Sequence, residues 1–142
     1  MSLTIQKIAH PRPYPPRVSE FTKPFWEALG GGRLTTTRCR ACGAMTFPAK
    51  VICPHCWSDG MEWVDMPTSA VLYSWTRIHA APTVFQHMAP YAVGIVELDG
   101  CLRLACPLVV AEGMSPQIGN RVEMTVLAFE DGPLFAAEVQ AG

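Results

Sequence analysis

Cys39, Cys42, Cys53 and Cys56 stand as C-x2-C-x10-C-x2-C inside the stretch RCRACGAMTFPAKVICPHC. No other feature of the 142-residue chain limits its fold so sharply. Each C-x2-C pair suits a tight knuckle, in which two sulfurs converge on one ion and backbone N–H groups point at them. Gly43, directly after the first pair, supplies the conformational freedom that such a turn needs. Four thiolates complete a tetrahedral zinc shell and leave no position open for substrate, so the spacing predicts a structural metal site. A lone C-x2-C can act as a redox dithiol, but two pairs this close together fit that role poorly.

Iron is the alternative metal, because CRACG and CPHC are similar to rubredoxin knuckles. The loop between the pairs is shorter than in rubredoxin and no second redox centre is evident, so zinc is favoured. His55, inside the second knuckle, is a possible substitute ligand beside an already complete set of thiols. The chain holds six cysteines in all. A disulfide framework is the weaker account of them, since MSLTIQKIAHPRPYPPR contains no apolar core of an export signal. A cytoplasmic location is therefore expected. No run of 18 apolar residues occurs, and no membrane span is expected. Cys101 and Cys106, five positions apart on one expected strand, point to opposite faces roughly 16 Å apart. They can neither pair nor share a metal, and no nearby His marks either as a nucleophile.

The chain divides into four stretches. Residues 1–20 are rich in proline (HPRPYPPR) and read as an extended arm. Residues 21–32 form a short helix, with Thr22 as N-cap, Pro24 in its first turn and Gly30–Gly32 as its end. Phe25, Trp26 and Leu29 fall on one side of that helix. Two turns are marginal alone in water, so this face has to dock, either on the chain's own ribbon or barrel or on a partner protein. Residues 33–66 carry the cysteines. Residues 67–142 read as five strands: AVLYSWTRIHA, YAVGIVEL, CLRLACPLVV, RVEMTVLAF and PLFAAEV. Asp99-Gly100 and Asp131-Gly132 supply hairpin turns. Val122, Met124, Val126 and Ala128 alternate with Glu123, Thr125 and Leu127, as in a half-buried strand. Five such strands suit a small closed OB barrel, with an open sheet as the alternative. The expected fold is thus mostly β: a short helix, a rubredoxin-like zinc ribbon and a five-stranded OB barrel.

Charge is distributed unevenly. Residues 1–57 carry eight Lys or Arg against two acids, and residues 58–142 three against ten. The basic half can attract a phosphate or nucleotide. In the barrel stretch Arg77, Arg103 and Arg121 are outnumbered by acids, a poor groove for a nucleic-acid backbone. His79 and His87 bracket the loop after the first barrel strand, as a possible acid–base or phosphate-binding pair or as solvent-facing residues. No Ser–His–Asp order, phosphate loop or dinucleotide fingerprint is present.

Phe25-Trp26 ahead of Gly32-Arg33-Leu34, the two knuckles with Pro48 between them, Trp63 and then Tyr73-Ser74 form a specific combination. From Phe21 to Val139 the chain resembles the acyl-CoA-associated zinc-ribbon and OB-fold family. The resemblance implies a non-catalytic or co-catalytic subunit that scaffolds a thiolase-like or other acyl-CoA enzyme, such as a hydratase or aldolase. It implies one structural zinc, acyl-CoA as ligand, and a hetero-oligomer. Arg33, Arg38, Arg40 and Lys50 are then candidates for the CoA phosphates, and Phe25, Trp26 and Leu29 for partner docking. DMPTSAVLYS departs from the Gly-rich turn common in that family, which implies a stiffer entry to the barrel. The competing function is a single-stranded nucleic-acid binder, since ribbons and OB barrels both serve that role.

Overall fold

The computed structural model describes residues 2–98 and 102–141. The expected Asp99-Gly100 turn and Cys101 lie outside the described residues. In chain order the elements are β1 (Thr4–Lys7), α1 (Lys23–Gly30), β2 (Thr35–Cys39), β3 (Met45–Thr46), β4 (Met61–Asp65), β5 (Ser69–Ile78), a 3-10 turn (Thr83–Met88), β6 (Tyr91–Leu98), β7 (Leu102–Val109), β8 (Arg121–Phe129) and β9 (Gly132–Val139).

Local chemistry explains the helix ends. Thr22 occupies the N-cap, but its hydroxyl accepts the Ser19 N–H at 2.9 Å and makes no cap bond to the helix. At the other end Gly32 takes φ +87°. That left-handed residue lets Arg33 N–H reach the Ala28 carbonyl (2.9 Å) and Gly32 N–H the Leu29 carbonyl (3.0 Å), the paired bonds of a Schellman motif. Phe25 and Leu29 are buried and join Leu34, Met66, Leu72 and Val126 in one core. That core draws side chains from helix, ribbon and barrel alike.

The ribbon is a three-stranded sheet in the order β3-β2-β4. Its centre is a run of threonines, Thr35, Thr36 and Thr37, all buried. Buried hydroxyls need partners, and two of these bind the loop between the knuckles. Thr36 Oγ1 donates to the Thr46 carbonyl. Thr37 Oγ1 accepts Lys50 N–H at 2.8 Å and donates to the Lys50 carbonyl at 3.1 Å.

Five strands close a barrel. The sheet runs β1-β8-β5-β6-β7-β9, and an additional β8–β9 pairing returns it to its start, with β7 and β9 parallel. Closure excludes the open-sheet alternative. The register of β5 on β6 shifts between Leu72 and Ser74, a bulge that bends β5 between its two neighbours. Opposite the bend stands Gly94, where a Cβ would meet Leu72 Cδ1 and the Ser74 carbonyl at 3.0 Å.

The N-terminal arm differs from expectation. Residues 4–7 form β1, parallel to β8, and Thr4 and Thr125 share a 2.9 Å hydroxyl bond. Arg12 then clamps the β8–β9 turn: its backbone N–H donates to Asp131 Oδ1 at 2.8 Å and its Nη2 to the Asp131 carbonyl at 3.0 Å. The proline-rich sequence accounts for the extended path but not for this pairing. Thr125 is fully buried beneath the arm, and Leu127 and Phe129 form a second small cluster with Ala136. β8 is therefore covered on both faces along much of its length, not half-buried. Among the described residues, no helix is long and apolar enough to cross a membrane.

Candidate metal centre and adjoining cleft

The four knuckle cysteines converge at the tip of the ribbon. Cys39 ends β2, and the remaining three lie in the turns that β2, β3 and β4 support. Their Sγ atoms all lie within 4.8 Å of one another. Cys39 and Cys56 sulfurs are 3.5 Å apart, and those of Cys42 and Cys53 are 3.6 Å apart. Zinc–sulfur bonds of about 2.3 Å in a tetrahedron require sulfurs about 3.8 Å apart, so the donor set fits that ion. Backbone N–H groups aim at the sulfurs as knuckles require: Cys42 N–H donates to Cys39 Sγ and His55 N–H to Cys53 Sγ, each at 3.4 Å.

Electrostatics point the same way. The Cys42 N–H, aided by the neighbouring Cys56 thiol, holds the Cys39 thiol down to about 6. At Cys56 the Ser58 N–H pulls downward, yet the Cys39 sulfur, burial and the other two sulfurs outweigh it and push that thiol up to about 12. One ionised sulfur thus keeps a neighbour protonated. A dication at their centre removes the conflict, since thiolates rather than thiols are its ligands. His55 is exposed and points to no additional role in the set.

The expected phosphate-binding cations are exposed but largely engaged. Arg33 Nη2 lies 2.6 Å from Asp65, Arg38 Nη2 3.2 Å from Glu62, and Arg40 Nε 3.4 Å from the same Glu62. The two guanidinium groups hold the Glu62 carboxyl below its usual range. Pairing follows from the β2–β4 register, which sets Arg38 opposite Glu62. Lys50 is exposed beside the second knuckle, with its backbone held by Thr37.

The expected docking face of α1 is mostly internal. Phe25 is 8% exposed and Leu29 0%, while Trp26 keeps part of its surface. Phe25 and Leu29 pack on the chain's own core, the first of the two docking surfaces expected for this face. The reason is the marginal length of α1, which needs the barrel core to hold it.

Beside α1 lies a feature that the sequence did not reveal. Phe25, Phe47 and Phe135 meet with ring centroids 5.7–6.2 Å apart. Trp26 stands edge-on to Phe25 at 4.9 Å. With Pro48 these rings wall an apolar cleft of about 270 Å³, and Arg17 is the charged residue at its lining. Helix, ribbon loop, barrel and arm each contribute, so no short motif announces the cleft.

The other candidates resolve simply. Cys106 is buried, and burial pushes its thiol up to about 12, the opposite of an activated nucleophile. Among the described residues the ring contact of His87 is with His10, at 5.2 Å, rather than with His79, which is exposed.

Residues 26–62 match the family model of the ChsH2 rubredoxin-like zinc ribbon domain, and residues 63–127 that of the ChsH2 C-terminal OB-fold domain. A DUF35 domain-containing scaffold protein from Methanothermobacter thermautotrophicus is 35% identical over 92 residues, covering 64% of this chain and 69% of that one. The benzoylsuccinyl-CoA thiolase subunit BbsA of Thauera aromatica is 31% identical over 119 residues, 82% of this chain and 81% of the other. Among solved structures, an Ltp2-ChsH2(DUF35) aldolase chain superposes with a TM-score of 0.76 at 29% identity, covering 88% of this chain and 98% of that chain.

Proposed function

Because this chain belongs to the ChsH2-type (DUF35) family of zinc-ribbon and OB-fold proteins, we propose that it scaffolds a thiolase-like or other acyl-CoA enzyme and helps to hold the acyl-CoA. The relatives support the accessory role: one is described as a scaffold protein, one as a thiolase subunit, and one comes from an aldolase assembly. The observation that carries the reading is the metal centre. Four sulfurs within 4.8 Å of one another satisfy a tetrahedral ion completely. The centre therefore stiffens a platform and offers no site to a substrate.

Two features support an acyl-CoA ligand. Arg33, Arg38, Arg40 and Lys50 are all exposed on the ribbon, within reach of solvent. Exchanging Glu62 for a phosphate is inexpensive there, since exposed ion pairs are worth about 0–1 kcal/mol. The apolar cleft walled by Phe25, Phe47 and Phe135 is large enough for part of an acyl or pantetheine chain.

Tagged co-purification from the native host tests the role: a co-eluting acyl-CoA enzyme supports it, and a solitary, catalytically active chain refutes it. Calorimetry with CoA tests the ligand. Arg38→Ala combined with Arg40→Ala should weaken CoA binding to the assembled complex about tenfold. Unchanged affinity would remove the ribbon arginines from the site, and salt-dependent binding of a single-stranded oligonucleotide would favour the nucleic-acid reading.

A further inference from the structure

Arg17 differs from the other arginines of the arm and ribbon. Arg12, Arg33, Arg38 and Arg40 each lie against a carboxylate. Among the described residues the Arg17 guanidinium makes neither an ion pair nor a hydrogen bond. The chain nevertheless fixes its place from both sides. Upstream, the Arg12 guanidinium rests where Gly132 has no side chain, since a Cβ there would lie 2.7 Å from it, and it bonds the Asp131 carbonyl. Downstream, Ser19 N–H donates to the Thr22 hydroxyl at 2.9 Å and Thr22 N–H to the Ser19 hydroxyl at 3.1 Å. Pro13, Pro15 and Pro16 stiffen the span between these ties. The arm thereby holds Arg17 at the cleft walled by Phe25, Phe47 and Phe135, whose lining contains no carboxylate. Glu20 and Glu27 are exposed and lie outside that lining, and Glu27 faces Lys23 at 3.8 Å. The result is an apolar hollow with one unpaired cation beside it.

Polar complement decides which part of an acyl-CoA can enter. Of the lining side chains only Arg17 and Thr22 are polar, and the Thr22 hydroxyl is already engaged with the Ser19 N–H and carbonyl. The amides of pantetheine and the ring nitrogens of adenine would be stripped of water against phenyl walls with no side-chain partner, which is unfavourable. Methylenes gain from the same burial. At about 270 Å³ the cleft falls below the roughly 300–1,000 Å³ of pockets that enclose a whole small molecule, so it suits one end of a ligand. We propose that the cleft receives the distal end of the acyl group, and that this group ends in a carboxylate paired with Arg17. The ligand is then the CoA monothioester of a dicarboxylic acid. The proposal rests on the scaffold reading above, under which the thioester reacts on the enzyme subunit and the far end of the acyl group is left to this chain. A carboxylate matches the fork of the guanidinium. A CoA phosphate would bring its polar adenosine with it.

The test uses the complex of the full zinc-loaded chain with the acyl-CoA enzyme that co-purifies with it, titrated by calorimetry with adipyl-CoA, hexanoyl-CoA and CoA. The two thioesters share a chain length and differ in a carboxylate for a methyl group. Wild type should bind adipyl-CoA the more tightly. Arg17→Gln should weaken adipyl-CoA about tenfold and leave hexanoyl-CoA within about twofold, and Arg17→Lys should restore part of the loss. Ala49→Trp, which fills the cleft, should weaken both thioesters about tenfold and leave CoA unchanged. Equal weakening of both thioesters and CoA by Arg17→Gln would put Arg17 on a CoA phosphate and overturn the proposal. Unchanged adipyl-CoA affinity in Arg17→Gln, or a wild-type preference for hexanoyl-CoA, also overturns it. So does loss of the enzyme subunit from Arg17→Gln, since the partner's own chain would then occupy the cleft. Should Ala49→Trp melt well below wild type, the Arg17 comparison decides. Failure on any of these counts with the enzyme subunit still bound to wild type leaves the scaffold reading standing. If no acyl-CoA enzyme accompanies the wild-type chain, both readings fall together.

Discussion

Leu29→Ala measures whether helix α1 belongs to the fold or to an interface. Leu29 is 0% exposed and packs in the shared core with Phe25, Leu34 and Met66. The substitution removes three buried carbon groups at about 0.8 kcal/mol each, roughly 2.4 kcal/mol of transfer free energy. Collapse around the gap is limited, because α1 is fixed at its C-terminal end by the Schellman bonds and by Leu3 N–H on the Gly32 carbonyl at 2.7 Å. A residual cavity of a few tens of Å³ adds about 1 kcal/mol at ~24 cal/mol per Å³. The expected loss is therefore about 3–4 kcal/mol. Urea unfolding of the zinc-loaded protein, followed by circular dichroism and tryptophan fluorescence, reads it directly. With m of roughly 2 kcal/mol/M, the midpoint should fall by about 1.5–2 M. A fall below about 0.25 M would correspond to about 0.5 kcal/mol or less, the size expected for a surface substitution. That result would put Leu29 outside the core and return the helix face to the partner.

Four further outcomes follow from the same geometry. Gly94→Ala should cost about 1–3 kcal/mol, since its Cβ would press on Leu72, on the Ser74 carbonyl and, at 3.1 Å, on Leu108; the melting temperature reads this. Cys106 should resist a thiol reagent in the folded protein and react on unfolding, because it is buried with its thiol pushed up to about 12; labelling followed by mass spectrometry locates the adduct. Removing the metal with a strong chelator should release the ribbon's amides to hydrogen exchange while the barrel strands stay protected. Metal affinity should also fall more steeply per pH unit below about 6 than above it. The Cys39 thiol, ionised above about 6, gains a proton below it, which the metal must then displace. Competitive zinc titration between pH 5 and 7 checks the slope, and a constant slope would contradict the lowered Cys39 value.

Features legible in the sequence were those encoded over a few neighbouring residues. The C-x2-C spacing sets two knuckle turns whatever surrounds them. The glycines after α1 supply the left-handed residue that ends it, and Asp131-Gly132 turns one strand into the next. Runs rich in β-branched and aromatic residues, bounded by turn residues, located all five barrel strands, because those side chains favour extended backbone locally. The ion pairs of Arg38 and Arg40 with Glu62 were not visible, since they depend on the β2–β4 register rather than on composition.

Contacts between distant segments required the tertiary structure. Closure of the barrel is a pairing of β8 with β9 and of β7 with β9, which no periodicity encodes. Arg12 and Asp131, 119 positions apart, meet only because β1 lies along β8 and carries the arm to that turn. Phe25, Phe47 and Phe135 become one cleft wall by the same route. The sequence alone determined the metal-ligating cysteines, the order of helix, ribbon and barrel, and the family, because backbone geometry and ligand chemistry act locally. Packing alone decided that the helix face turns inward while Trp57 stays in solvent, because burial depends on which surfaces the closed barrel leaves uncovered.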